Sequence, residues 1–286
     1  MKFFPEDYKI YVLEDLRTNA GISRPVHASL LERLFVRKAQ TDRLHPNPSD
    51  EFCDPEIGPN YEIVARYVND IRVSLGRSFE PFTDPLQVQK ISTGGYRIMN
   101  GHHRWLAAKR TGYKKLPVQV VNPTSEEKIL LEIGRSRKKM CASFDLDEVL
   151  LTDGERVPEG KKLWFPFNRI YQKNLRNNAG LLVKELSDAG FDVWVYTGNY
   201  WSEEYIRILF ILQGARIFGV VSGTGKKKNG EIRQAFRHHY DLSLHIDNDS
   251  IVCVNTVTGS SFMKEVGGDG ESWASDVMHT LKEMNL

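Results

Sequence analysis

Met140-Cys141-Ala142-Ser143-Phe144-Asp145-Leu146-Asp147-Glu148-Val149-Leu150-Leu151 is the stretch on which the fold of this 286-residue chain turns. Residues 140–144 are a short apolar run of strand type, closed by two aspartates two positions apart. In extended backbone that spacing sends both carboxylates to one side. Further runs of strand type cover 191–196, 217–221 and 242–246, and helical periodicity falls near 166–188, 202–213, 229–239 and 272–284. The alternation predicts an α/β domain over 140–286, with a mostly parallel sheet and helices on both faces. In such sheets the functional site lies beyond the carboxyl ends of the strands.

The residues that follow each strand suit phosphate chemistry. After the first come Asp145 and Asp147, and after the second Tyr196-Thr197-Gly198-Asn199. After the third comes Gly225-Lys226-Lys227-Lys228, and after the fourth His245-Ile246-Asp247-Asn248-Asp249. One carboxylate can attack phosphorus and a second can give and take a proton. Clustered carboxylates call for a cation among them, and oxygen donors beside phosphate suit Mg²⁺. A hydroxyl and an ammonium then hold the phosphate oxygens as charge develops.

Residues 140–260 resemble the haloacid dehalogenase superfamily of phosphohydrolases, a Rossmann-like fold. Asp145-Leu146-Asp147-Glu148-Val149 is similar to its first motif, DxDx(T/V). The resemblance implies that Asp145 is the nucleophile and Asp147 the general acid/base. It also implies that Thr197 is the second-motif hydroxyl and that a lysine among Lys226, Lys227 and Lys228 is the third-motif cation, Lys228 being the choice. Asp247 and Asp249 match the acidic fourth motif, Asp247 being the preferred metal ligand, and the implied Mg²⁺ set is Asp145, Asp147, Asp247 and Asp249. Asn248 stands where many members carry an adjacent aspartate. The gap from Val149 to Thr197 leaves room for only a modest insertion, about 152–167, and no large cap. Within it, Trp164, Phe165 and Phe167 are expected to pack against the sheet, with stacking on a base or ring as the other reading.

Residues 1–139 carry a net charge of +6, against −4 for 140–286, so a basic half precedes an acidic one. Such asymmetry suggests two domains and, for the basic one, a polyanion or nucleotide. Its pattern is α+β. Helices are expected at 28–40 and 61–75, a loop at 41–60, and strands at 86–89, 96–99 and 117–121. Asn100-Gly101-His102-His103-Arg104 opens a further helix at 102–110. Glycine there lets a ligand approach the backbone, and free N–H groups favour an anion. His102, His103 and Arg104 would form a cationic cluster at the helix start, which makes sense if a phosphate or other anion neutralises it; His103 as a satisfied structural histidine is the other reading. Residues 45–121 resemble the ParB/sulfiredoxin-like fold, whose nucleotide motif (D/G)G(H/E/C)(H/R)R is followed by an Ala-rich helix. The resemblance implies nucleotide binding by Gly101, His102, His103 and Arg104. Asn100 replaces the aspartate of many kinase-like members.

The expected domains are 1–134, ParB/sulfiredoxin-like, and 140–286, a phosphatase joined to it by the charged run 134–139. The implied function is Mg²⁺-dependent phosphohydrolysis through an aspartyl-phosphate. The implied substrate is a nucleotide or nucleic-acid-end phosphate held partly by the first domain. The alternatives are a bifunctional enzyme with a kinase or nucleotidase first domain, and a non-enzymatic DNA-binding module. The latter lacks a helix-turn-helix pattern or basic stripe. Cys53, Cys141 and Cys253 lie far apart, which excludes a disulfide scaffold and a CxxC zinc site. No apolar run approaches the roughly 20 residues of a membrane span. Acidic residues also interrupt the first ten positions, so a soluble cytoplasmic protein without membrane partners is expected.

Overall fold

The computed structural model describes residues 6–19, 21–77, 79–152, 154, 157–223, 229–266 and 272–284. The chain divides into two compact units, 1–122 and 123–286. It is of the α/β class, with both parallel and antiparallel pairing in each main sheet.

In the first unit five strands, β1 (Arg37–Gln40), β2 (Leu44–His45), β3 (Leu86–Lys90), β4 (Tyr96–Asn100) and β5 (Lys115–Val120), form a mixed sheet in the order β1-β5-β3-β4-β2. The helices Tyr61–Arg77 and His102–Thr111 pack together. Trp105, Leu106, Ala107 and Ala108 are fully buried in the same core as Leu86, Val88, Ile98 and Val118. The small alanines bring that helix close, and Trp105 satisfies its indole N–H on the Thr41 carbonyl at 3.3 Å. The helix expected over 28–40 stops early. Ser29 and Glu32 make a reciprocal cap, the helix spans only Leu30–Leu34, and the chain then pairs with β5 as β1. Phe35 and Val36 are stiff, strand-favouring residues, and the pairing overrides the helical spacing.

In the second unit the remaining strands are β6 (Met140–Asp145), β7 (Leu151–Thr152), β8 (Asn174–Leu175), β9 (Phe191–Thr197), β10 (Gly219–Ser222), β11 (Leu242–Ile246), β12 (Ser250–Asn255) and β13 (Ser260–Glu265). The main sheet has the order β10-β9-β6-β11-β12-β13. The first four strands are parallel, and β12 and β13 turn back antiparallel. Helices cover both faces. Glu126–Arg135 and Asn229–His239 bury Ile129, Ile133, Ile232 and Phe236 with Trp194 and Val221. Ala179–Asp188 packs on β9, and Trp273 meets Phe144 edge-on at 6.4 Å.

Two boundaries differ from the sequence reading. The helix Glu126–Arg135, placed there in the first domain, belongs to the second unit because its apolar face is buried with Trp194 and Tyr240. Its start is capped by Ser125, whose Oγ accepts the Lys128 N–H at 3.3 Å. The helix expected over 166–188 is three elements instead, Phe167–Ile170, β8 and Ala179–Asp188. Asn178 adopts the left-handed conformation (φ 60°), and the Asn174 and Arg176 side chains turn inward. Asparagine competes with helix by such local choices. The pairing of β7 with β8 closes the insertion at its base. Among the described residues no helix is long and apolar enough to cross a membrane.

Candidate active site

Parallel register sets which side chains meet at the carboxyl edge of the second sheet. Asp145 pairs with Tyr196, and Ser222 with Thr197. Phe144 pairs with Ile246, which puts Asp247 next along beside Asp145. Neighbouring strands lie about 4.8 Å apart. Asp145, Thr197 and Asp247 therefore end three adjacent strands side by side.

Each carboxylate is oriented by hydrogen bonds. Asp145 Oδ1 accepts the Glu148 N–H at 2.8 Å, capping the wide helical turn Leu146–Leu150. Buried Thr197 donates its hydroxyl to Asp147 Oδ2, and Trp201 Nε1 lies 3.4 Å from Asp147 Oδ1. Thr197 Oγ1 also accepts the Asn199 N–H at 3.1 Å. Asp247 Oδ1 accepts the Asn248 N–H at 2.8 Å. Asp145 and Asp247 thus each keep one oxygen outside these bonds, whereas both oxygens of Asp147 are engaged by side chains. Asp249 is exposed at the β11–β12 turn, and its carbonyl accepts the Val266 N–H at 2.8 Å. The structure therefore sets Asp145, Thr197 and Asp247 at neighbouring strand ends, joins Asp147 to Thr197, and leaves the Asp249 side chain exposed. Lys226, Lys227 and Lys228 lie outside the described residues.

The donor chemistry fits Mg²⁺. Among the described residues no three Asp, Glu, His or Cys side chains gather into an all-protein metal shell. Mg²⁺ keeps several waters and commonly takes only one or two carboxylates plus substrate phosphate. Asp145 and Asp247 supply that number.

Arg176 and Trp273 are the residues the sequence reading missed. Buried Arg176 donates to Asn248 Oδ1 at 2.9 Å and lies over the Trp273 ring, 4.1 Å from its centroid. Trp273 Nε1 donates to the Asp247 carbonyl at 3.2 Å, and Asn248 Nδ2 to the Glu148 carbonyl at 3.2 Å. Asn248, standing where an aspartate was expected, thus ties the Asp247 turn to the turn that follows Asp145.

In the first unit Gly101 has φ 105°, and a Cβ there would sit 2.7 Å from Leu86 Cγ. Only glycine fits. The two histidines that follow do not form the expected cationic cluster. His102 Nε2 accepts the Asn47 N–H at 3.2 Å, and His103 Nε2 accepts the Asn60 N–H at 2.9 Å. A ring nitrogen that accepts an amide proton carries none itself. Burial lowers His102 to about 4, against a partial opposing pull from Asp50, and burial lowers His103 as well. The His102 ring stacks on Phe52 and the His103 ring meets it edge-on, at 5.1 and 5.2 Å. Both histidines tie the loop 41–60 to the helix. Arg104 donates to the Asp84 carbonyl.

A family model, the ParB N-terminal domain, matches residues 69–136. Among solved structures, the C-terminally truncated chromosome-partitioning protein ParB from Caulobacter crescentus complexed with CTP-gamma-S is 26% identical over 37% of this chain and 56% of that one, with a TM-score of 0.25. The same protein complexed to the centromeric parS site is 26% identical over 35% and 50%, with a TM-score of 0.25. A Vibrio cholerae protein assigned as 3-deoxy-D-manno-octulosonate 8-phosphate phosphatase is 21% identical over 42% and 60%, with a TM-score of 0.26. The chain spans 50 to 60% of the length of these three. No curated protein matches it.

Proposed function

We propose that the second unit is a Mg²⁺-dependent phosphohydrolase of the haloacid dehalogenase type, acting on a nucleotide or nucleic-acid-end phosphate. The observation that carries this reading is the alignment of Asp145, Thr197 and Asp247 on three adjacent parallel strand ends, with Asp147 held by Thr197. In the proposed reaction an Asp145 oxygen attacks phosphorus. The ester P–O bond breaks, and the leaving oxygen takes a proton from Asp147. A water deprotonated by Asp147 then attacks the aspartyl-phosphate, releasing inorganic phosphate and restoring Asp145. Thr197 is proposed to exchange its bond to Asp147 for a phosphate oxygen, with Lys228 as the proposed second donor. Asp145 and Asp247 would hold Mg²⁺, which supplies positive charge against the phosphate oxygens.

For the first unit we propose a nucleotide- or nucleic-acid-binding role at Gly101 and Arg104, supported by the ParB N-terminal match over 69–136. The histidines there act by holding the loop. The bifunctional reading keeps only the glycine-led helix N-terminus in its favour.

The test is a screen of nucleotides, 3′- and 5′-phosphorylated oligonucleotides and phosphopeptides with Mg²⁺. EDTA should stop phosphate release and Mg²⁺ should restore it. Full turnover in chelated enzyme, or no turnover of any ester, sinks the reading.

A further inference from the structure

Residues 160–173 read Gly-Lys-Lys-Leu-Trp-Phe-Pro-Phe-Asn-Arg-Ile-Tyr-Gln-Lys, four cations and no acid, within a half of the chain whose net charge is −4. Lys161, Lys162, Arg169 and Lys173 are all exposed. None of them forms an ion pair among the described residues. Trp164 and Phe165 are 63% and 64% exposed, so two of the three rings expected to pack against the sheet face water instead. They are nevertheless held in place. The Arg169 guanidinium lies 5.5 Å from the Phe165 centroid, and Trp164 meets half-buried Phe167 edge-on at 5.1 Å.

The base of the segment is connected to the candidate site. Tyr171 donates its hydroxyl to the Tyr205 carbonyl at 2.8 Å, and Tyr205 returns one to the Ile170 carbonyl at 3.1 Å. The Tyr205 ring stacks on Trp201 at 5.1 Å with an interplanar angle of 6°, and Trp201 reaches Asp147. One run of contacts thus links the exposed rings to the proposed acid/base.

We infer that residues 160–173 form a platform for single-stranded nucleic acid, with bases on Trp164 and Phe165 and phosphates on the four cations. The inference deepens the phosphohydrolase reading by naming a substrate class, and rests on that reading only for the chemistry at the strand ends. Exposed aromatic rings among cations are the pairing that an unstacked strand requires. A duplex hides its base faces, and an acidic peptide would leave the rings unused.

The experiment is fluorescence anisotropy of a labelled 5′-phosphorylated dodecathymidylate with the full chain in EDTA, beside hydrolysis of para-nitrophenyl phosphate with Mg²⁺. Trp164→Ala and Phe165→Ala should each weaken binding about tenfold, in line with the loss of one stacked base. The Lys161→Gln/Lys162→Gln/Lys173→Gln triple variant should flatten the dependence of log K on log salt by about 2. All should hydrolyse the small ester within about twofold of the parent, and unchanged melting temperatures would confirm that they fold. Equal oligonucleotide binding by parent and Trp164→Ala overturns the platform, as does equal competition by polyglutamate or by a duplex. Lost binding in the variants of a parent that hydrolyses nothing overturns the phosphohydrolase reading instead and leaves the platform standing.

Discussion

At the helix that follows Gly101, the polar side chains point back into their own unit. At the strand ends of the second unit, carboxylate oxygens are left over. Both places read in the sequence as sites for an anion. His102 and His103, however, spend their acceptor nitrogens on Asn47 and Asn60, and both rings pack on Phe52, one stacked and one edge-on. Asp145 and Asp247 each spend one oxygen on a backbone N–H and keep the other. The difference lies in what a ligand would displace. Histidine binding there would strip two backbone amides of their partners, a loss of about 1–3 kcal/mol for a fully buried amide and less here, where the Asn47 bond is part-buried and the Asn60 bond exposed. A cation on the other oxygens of Asp145 and Asp247 would break neither of these bonds.

The largest break in this contrast comes from Asp145→Asn. The amide cannot attack phosphorus, so phosphate release should fall on the order of 10³-fold or more in a steady-state assay. Near-parental turnover would remove Asp145 from the chemistry and with it the distinction between the two regions.

Asp147→Asn comes next, with a loss of about 10²–10⁴-fold for an alkyl phosphate. For para-nitrophenyl phosphate the first step should suffer less, because nitrophenolate leaves without a proton. Single-turnover release of nitrophenol should then outpace phosphate release, a split that no structural role for Asp147 produces. Equal losses in both steps and for both esters would place Asp147 among the supporting residues.

The contrast can be sharpened from the side of the first unit by pH. Burial holds His102 at about 4, below its ordinary 6.5. The unfolded chain therefore takes up a proton between pH 6.5 and about 4 that the folded ring refuses. Stability from this group is intact above 6.5 and falls as the pH drops, by about 3 kcal/mol once pH 4 is reached. Urea unfolding followed across that window should show the slope, and His102→Phe should flatten it. A parent without the slope would mean that the ring protonates freely, as an anion-binding histidine would.

The strand-end residues were legible because each follows an apolar run directly, and a parallel sheet converts that order into adjacency. Arg176 and Trp273 carried no such signal. Arg176 falls in a stretch whose spacing reads as continuous helix, and Trp273 is 26 positions from the Asp247 carbonyl it supports. The histidines misled for a related reason. A helix-start cluster reads as positive charge, but whether an imidazole is charged depends on the loop 41–60 that folds over it. The exposure of Trp164 and Phe165 was equally hidden, since an aromatic run has the same spacing whether it faces a sheet or water.

The smallest expected effect separates the two aspartates of the implied fourth motif, of which Asp247 is the preferred ligand. Asp247 ends its strand beside Asp145, and its turn is braced by Asn248, Arg176 and Trp273. Asp249 is exposed and its carboxylate makes no hydrogen bond or ion pair among the described residues. Losing a screened surface charge is worth at most about 1 kcal/mol. Asp249→Asn should therefore change turnover by about threefold or less, mostly at low salt. Asp247→Asn should raise the Mg²⁺ concentration needed for half-maximal rate well beyond that, because it replaces a charged ligand with a neutral one. The measurement is the Mg²⁺ dependence of the initial rate for both variants at two salt concentrations. If Asp249→Asn shifts that dependence as far as Asp247→Asn and salt does not rescue it, Asp249 turns inward in the loaded enzyme. Both aspartates would then be ligands.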